Sequence, residues 1–128
     1  MDKILDFISS PILSIDAKST AEEGAKYMSE NNITSLLIKE NEDYVGIVTG
    51  TDLVKRLVAK GLDPKSTRMF SVMSKPVLTM DHYLPRSEAN EFMLRKNIKH
   101  LAVTKDGKII GMLTTNDMIS GGRDDSIY

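Results

Sequence analysis

Two segments of the chain carry the same pair of chemistry-bearing residues, Thr49-Gly-Thr51-Asp52 and Thr114-Thr-Asn116-Asp117. In each, the apolar run before the threonine reads as a strand and the residues after it open a helix. Unpaired N–H groups at a helix start, together with the partial positive charge there, favour an anion. A threonine hydroxyl in that place can donate to phosphate. An Asp carboxylate is acceptor-only and can take both hydroxyls of a ribose. The same spacing also suits a cap, in which the threonine and the carboxylate satisfy each other's backbone N–H groups. The spacing by itself leaves both roles open.

Other reactive chemistry is scarce. There is no cysteine, so disulfides, thiol nucleophiles and Cys-based metal sites are excluded. The two histidines, His82 and His100, do not form a metal-ligand spacing, and no metal site is expected. No phosphate-binding GxxxxGK[ST] loop or nucleophile elbow occurs, and Asp52 and Asp117 fall in separate equivalent places rather than forming an acid–base pair. The chain is therefore expected not to be an enzyme and to need no cofactor. Seventeen Lys and Arg against 18 Asp and Glu give a net charge of −1, which offers no attraction to nucleic acid. No apolar run approaches the roughly 20 residues of a membrane span, and the acidic, short N-terminus is unlike a secretion signal. The expected location is cytoplasmic. At 128 residues, with 41% hydrophobic and 27% charged residues, the chain can bury a substantial core.

The elements that must position the two Thr-x-x-Asp segments are written twice. Sliding the chain by 65 places residues 10–54 on 75–119 without a gap, with 11 identities in 45 pairs, where chance gives about three. Pro11/Pro76, Asp16/Asp81, Asn32/Asn97, Gly46/Gly111, Thr49/Thr114 and Asp52/Asp117 are among them. Each copy reads as short strand, helix, strand, strand, helix. Short strands are expected at 11–14 and 76–79, after prolines. Helices are expected at 20–31, with Thr20 and Glu23 as a capping box, and at 85–96, with Pro85 in the first position. Asn32 and Asn97 read as left-handed stops. Strands follow at 34–40 and 44–49, and at 99–105 and 108–114, the second pair joined by Asp106-Gly107. Their nearly continuous apolar runs predict that both faces are covered. Last helices begin near Gly50 and Thr115. The fold class is thus α/β in the sense of mixed α+β sheets. It comprises two pseudo-twofold-related units packed sheet to sheet, with methionines such as Met28 and Met93 as core filler.

Four segments carry a family resemblance: Val72-Met73-Ser74-Lys75-Pro76, Gly46-Ile-Val-Thr49-Gly-Thr-Asp52, Gly111-Met-Leu-Thr114-Thr-Asn-Asp117 and Asn97-Ile-Lys-His-Leu-Ala-Val103. Over residues 8–120 the chain resembles a tandem cystathionine-β-synthase (CBS) domain pair, or Bateman module, here in stand-alone form. The implied division is a first unit at 8–60, a linker at 61–70, a second unit at 71–120 and a frayed tail at 121–128. The resemblance implies a sensor binding AMP, ADP, ATP or S-adenosylmethionine, not a catalyst.

It also implies two sites. One joins Thr114, Asn116 and Asp117 with Lys99 and His100 of the same repeat, and with Ile15, Asp16, Lys18 and Ser19 from the loop of the other. The second joins Thr49, Thr51 and Asp52 with Thr34 and Ser35, and with Met80, Asp81 and Tyr83. A desolvated phosphate needs cations. Lys99, with His100 and Lys18, makes the Asp117 site the better phosphate binder, while the Asp52 site has hydroxyls and only the following Lys55 and Arg56. The family's usual proline after the second-strand leucine is replaced by Leu37 and Ala102.

Three functions are weighed: a regulatory nucleotide sensor acting on a separate protein effector, a homodimeric scaffold without a physiological nucleotide, and an S-adenosylmethionine binder. A dimer contact is expected through Leu53, Leu57, Met118 and Ile119.

Overall fold

The computed structural model of the chain describes residues 2–8 and 12–115. Expectations for Pro11, Asn116, Asp117, Met118, Ile119 and the 121–128 tail fall outside the described residues. The first sheet holds β1 (Ser14–Asp16), β2 (Ser35–Glu40) and β3 (Asp43–Thr49), in that order. The second holds β4 (Thr79–Asp81), β5 (His100–Lys105) and β6 (Lys108–Thr114). In each sheet the short strand runs parallel to its neighbour, which requires a crossover, and the other pair is antiparallel. The crossovers are α1 (Ala21–Glu30) and α4 (Arg86–Lys96).

The duplication extends to register. Ser14 pairs with Leu37 and Ser35 with Thr49; Thr79 pairs with Ala102 and His100 with Thr114. Even the bulge repeats, between Ile38 and Lys39 and between Val103 and Thr104. β1 and β4 lie later than expected, because only residues from Ser14 and Thr79 onward reach partners on the next strand.

Helix α1 starts as the sequence predicts. Glu23 N–H donates to Thr20 Oγ1 at 3.1 Å, and Thr20 N–H donates to Glu23 Oε1 at 2.8 Å, which satisfies two donors that a helix start leaves unpaired. Pro85 instead stands at the cap position of α4, with extended backbone, so the first helical residue is Arg86. Both asparagine stops are left-handed, Asn32 at φ 53° and Asn97 at φ 55°. The β5–β6 turn has positive φ at both Asp106 and Gly107, the combination that two-residue hairpins favour.

Leu36 and Ile38 lie in one core with Ala21, Met28 and Val48; Leu101 and Val103 lie in a second with Ala89, Met93 and Leu113. Leu37 and Ala102, on the opposite strand faces, are also buried, so both faces of β2 and β5 are covered. After β3 the chain forms α2 (Gly50–Leu53) and continues as one π-helical turn, Val54–Val58. This turn points Leu57 into the core and leaves Val54 and Val58 exposed. Leu57, expected at a dimer contact, is therefore turned inward, while Leu53 is half-buried. Leu57 is buried in the first core and Leu53 packs against it.

The packing units differ from the sequence repeats. One is residues 13–77; the other joins the chain before residue 13 to the chain after residue 77. Helix α3 (Met69–Val72) precedes the second repeat but places Met69 and Val72 in the first core. The 3-10 turn Ile4–Phe7 places Ile4 and Phe7 in the second. Met69 N–H donates to Ser19 O and Phe70 N–H to Ala17 O; the equivalents are Ile4 N–H to Leu84 O and Leu5 N–H to His82 O. All four hydrogen bonds repeat at the offset of 65. Burying a side chain of this size contributes about 1.5–3 kcal/mol, so each leading segment is an integral part of the sheet unit it covers.

Candidate functional site

The first corner is built where an antiparallel strand turns into a helix. Thr49 ends β3 and caps α2. Its N–H donates to Asp52 Oδ2 at 2.9 Å, its hydroxyl donates to the same oxygen at 3.2 Å, and Asp52 N–H donates back to Thr49 Oγ1 at 3.3 Å. The other carboxylate oxygen, Oδ1, accepts from the Ser74 hydroxyl at 2.9 Å and lies 3.7 Å from Arg56 Nε. Arg56 Nη1 donates onward to Met73 O at 2.7 Å. Asp52 is the one buried charged or polar residue among the described residues, at 7% exposure. A buried charge requires such compensation. The capping role of Thr-x-x-Asp is thus realised at this corner, and the carboxylate faces the α3 segment rather than bulk solvent.

The register brings the expected neighbours to this corner. Ser35 pairs with Thr49, and Thr34 O accepts from Gly50 N–H at 3.2 Å. Thr51 is exposed on the first turn of α2. Of the cations that follow Asp52, Arg56 is committed to Asp52 and Met73, while Lys55 is exposed. In the second unit His100 pairs with Thr114, and Lys99 O accepts from Thr115 N–H at 3.2 Å. Lys99 is exposed and His100 is half-buried. Asn116 and Asp117 lie outside the described residues.

The loop residues assigned to the opposite repeat stand at the other end of their own sheets. Ile15 and Asp16 pair with Ile38 and Lys39, three and four positions along β2 from Ser35, or about 10–13 Å at strand rise. Asp16 Oδ1 accepts from Lys18 N–H at 2.8 Å, Lys18 O accepts from Arg68 Nη1 at 3.1 Å, and Ser19 O holds Met69. Met80 and Asp81 pair with Val103 and Thr104, and Thr104 Oγ1 donates to the Asp81 carboxylate. Tyr83 is 56% exposed, edge-on to His82. His82, read in sequence terms as a surface loop residue, is half-buried with its ring nitrogen 3.2 Å from Thr104 O.

A family model for the CBS domain matches the chain twice, over residues 4–59 and 69–123. The chain belongs to the CBS-domain family. Both matched segments include the leading turns that pack outside their own repeat. An uncharacterised protein of Methanopyrus kandleri is 36% identical over 102 residues, covering 78% of this chain and 52% of its own. A homoserine O-acetyltransferase of Methanohalobium evestigatum is 32% identical over 117 residues, 90% of this chain and 23% of its own. This chain spans about half to two-thirds of the first two curated relatives it matches, 52% and 63% of their lengths. Among solved structures, a Pyrococcus horikoshii protein superposes with TM-score 0.88 at 23% identity, covering 99% of this chain and 96% of that one. A hexameric CBS-CP12 protein from bloom-forming cyanobacteria gives TM-score 0.88 at 22% identity, covering 95% and 72%. At these identities the superpositions show the CBS-pair fold.

Sequence reasoning missed Ser74 and Met73 as corner residues of this CBS pair. The signal was present: the apolar pattern Ile4, Phe7, Ile8 matches Met69, Val72, Met73 at the same offset of 65. Identity counting discards it, because between residues 3 and 9 only Ser9/Ser74 is identical. A cleft of about 440 Å³ also lies in the first unit, lined by Lys18, Glu40, Val45, Phe70, Met73 and Lys75. It sits toward the Asp43 end of β3, away from Thr49. Among the described residues no three His, Asp or Glu side chains gather as a metal site, and no helix is long and apolar enough to cross a membrane.

Proposed function

We propose that the chain is a regulatory module that binds an adenosine nucleotide of the AMP, ADP or ATP type and acts on a separate effector protein. The observation that carries this reading is the duplicated strand end. Thr49, which caps α2, lies in register with Ser35, and Thr114 lies in register with His100, next to Lys99. Hydroxyls, main-chain N–H groups and one cation are the groups that a sugar phosphate uses. Membership of the CBS family supports the same reading. The module is non-enzymatic, requires no cofactor and works in the cytoplasm. S-adenosylmethionine, which shares the adenosine half, is the alternative ligand. A ligand of either kind changes the effector only through a difference in affinity between two states of the module.

A second reading, a homodimeric scaffold, has its own support. Val54 and Val58, four residues apart, are 61% and 69% exposed on one helical surface of the first sheet's unit, and in the other unit Leu94 on α4 is 73% exposed. A contiguous exposed apolar surface marks a place for association.

A thermal-shift series with AMP, ATP and S-adenosylmethionine at millimolar concentration separates the readings. A nucleotide at a hundred times its Kd adds about 2.7 kcal/mol of stability, a shift of several degrees. Stabilisation by AMP or ATP supports the sensor. Stabilisation by S-adenosylmethionine alone selects that ligand, and no shift with any of them leaves the scaffold.

A further inference from the structure

We propose that Ser74 is an internal competitor for the ligand's hydroxyls at the Asp52 corner, so that this corner is closed until the Ser74 side chain turns away. The inference rests on the nucleotide reading and adds a gate to it. Asp52 has two carboxylate oxygens with separate duties. Oδ2 is committed to the cap, through the Thr49 N–H and hydroxyl. Oδ1 is the oxygen left for a ligand hydroxyl, and the Ser74 hydroxyl occupies it at 2.9 Å. Ser74 therefore stands where a sugar hydroxyl would donate.

The gate is local to one side chain. Ser74 main chain is fixed to β3 by two hydrogen bonds, Ser74 N–H to Ile47 O at 2.8 Å and Ile47 N–H to Ser74 O at 2.9 Å. Met73 O, just before it, is held by Arg56 Nη1. With the backbone fixed, release of Oδ1 needs only rotation of the Ser74 side chain. Arg56 Nε, 3.7 Å from Oδ1, stays to balance the buried carboxylate during the exchange. The ligand must replace a hydrogen bond that already exists, so this corner binds more weakly than its acceptors alone predict.

The test is calorimetry on the full chain in an Asp117→Ala background, which leaves the Asp52 corner to be read. The titrants are AMP and 2′,3′-dideoxy-AMP, which lacks the diol. Ser74→Ala is expected to tighten AMP about three- to tenfold, the effect of removing one competing hydrogen bond, and to leave dideoxy-AMP unchanged. Ser74→Thr, which keeps the hydroxyl, is expected to restore the affinity of the parent and shows that loss of the donor is responsible. Unchanged AMP affinity in Ser74→Ala, an equal gain for both titrants, or weaker AMP binding each overturns the gate while the nucleotide reading stands. No AMP heat from the wild-type chain or from either variant overturns the nucleotide reading, and the gate with it.

Discussion

Ser74 and Asp52 are 22 residues apart in the chain and joined by a 2.9 Å hydrogen bond inside the first unit. The bond ties the segment that introduces the second repeat to the helix that ends the first. It also makes Asp52 a structural residue as well as a candidate ligand acceptor, so removing the carboxylate has two consequences.

Asp52→Ala is expected to cost about 2–3 kcal/mol, from the lost cap and from the Ser74, Arg56 and Thr49 groups left without their acceptor. Thr49→Ala, which removes the hydroxyl alone, should cost about 1 kcal/mol. Urea denaturation of the two variants measures both. Equal midpoints for wild type and Asp52→Ala would show that the network contributes nothing to the fold.

The two corners are expected to differ in phosphate preference. Lys99 beside Thr115 gives the second corner an exposed cation, whereas Arg56 at the first is already engaged. Calorimetry should therefore show a larger loss of AMP affinity for Asp117→Ala than for Asp52→Ala. Lys99→Ala should reduce AMP binding several-fold more than adenosine binding, since an ion pair to phosphate is absent from the nucleoside. Equal losses in the two Asp variants would count against the asymmetry.

Gly46 and Gly111 occupy equivalent strand positions, and at the offset of 65 their neighbours Met73 and Ile8 are equivalent too. A Cβ on Gly46 would lie 2.9 Å from the Ser74 carbonyl oxygen, which is held by Ile47, and 2.6 Å from Met73 Sδ. Gly46→Ala is therefore expected to destabilise by about 1–3 kcal/mol, because the main chain of Ser74 cannot move aside as a side-chain end can. Thermal melts of the variant beside the parent measure it. An unchanged melting temperature would contradict the close approach of Ser74 to β3.

Glu23 gives a pH signature. The Thr20 N–H holds its carboxyl below the ordinary 4.5, with the Thr20 hydroxyl adding to the effect, desolvation opposing it, and the Arg68 charge contributing least. With the folded value lowered, the unfolded chain takes the proton first as pH falls. The contribution is thus full above the unfolded value and fades as pH drops through the folded one. Carbon-detected NMR titration should find Glu23 below 4.5 in the wild type and closer to it in Thr20→Ala. An unshifted Glu23 in the wild type would remove the basis for acid fraying of α1.

The repeated elements are legible in the sequence because short-range chemistry sets them. Thr20 and Glu23 cap a helix using groups three residues apart, and Asn32 and Asn97 take the left-handed geometry that few residues tolerate. Asp106-Gly107 specifies its hairpin in the same local way. What the sequence hid depends on distant partners. Leu57 reads as a dimer-contact leucine until the π-helical turn carries it into the first core. Ser74 reads only as part of the family segment 72–76 until β3 receives it at Ile47. At the Asp52 corner the pattern Thr-x-x-Asp allowed the cap, and the family resemblance named the neighbours Thr34 and Ser35. It could not foretell that a hydroxyl from another segment already sits on the carboxylate.

The leading turns have a practical corollary for anyone cutting the gene. A break placed between the copies, in 61–68, would strip Met69 and Val72 from one half and Ile4 and Phe7 from the other, leaving two fragments with uncovered apolar floors. The contiguous piece that keeps its own cover is 13–77, while the remainder holds together only as two strands of chain from opposite ends. The leading turn of each copy thus roofs the sheet of its neighbour, so neither copy is a separable part.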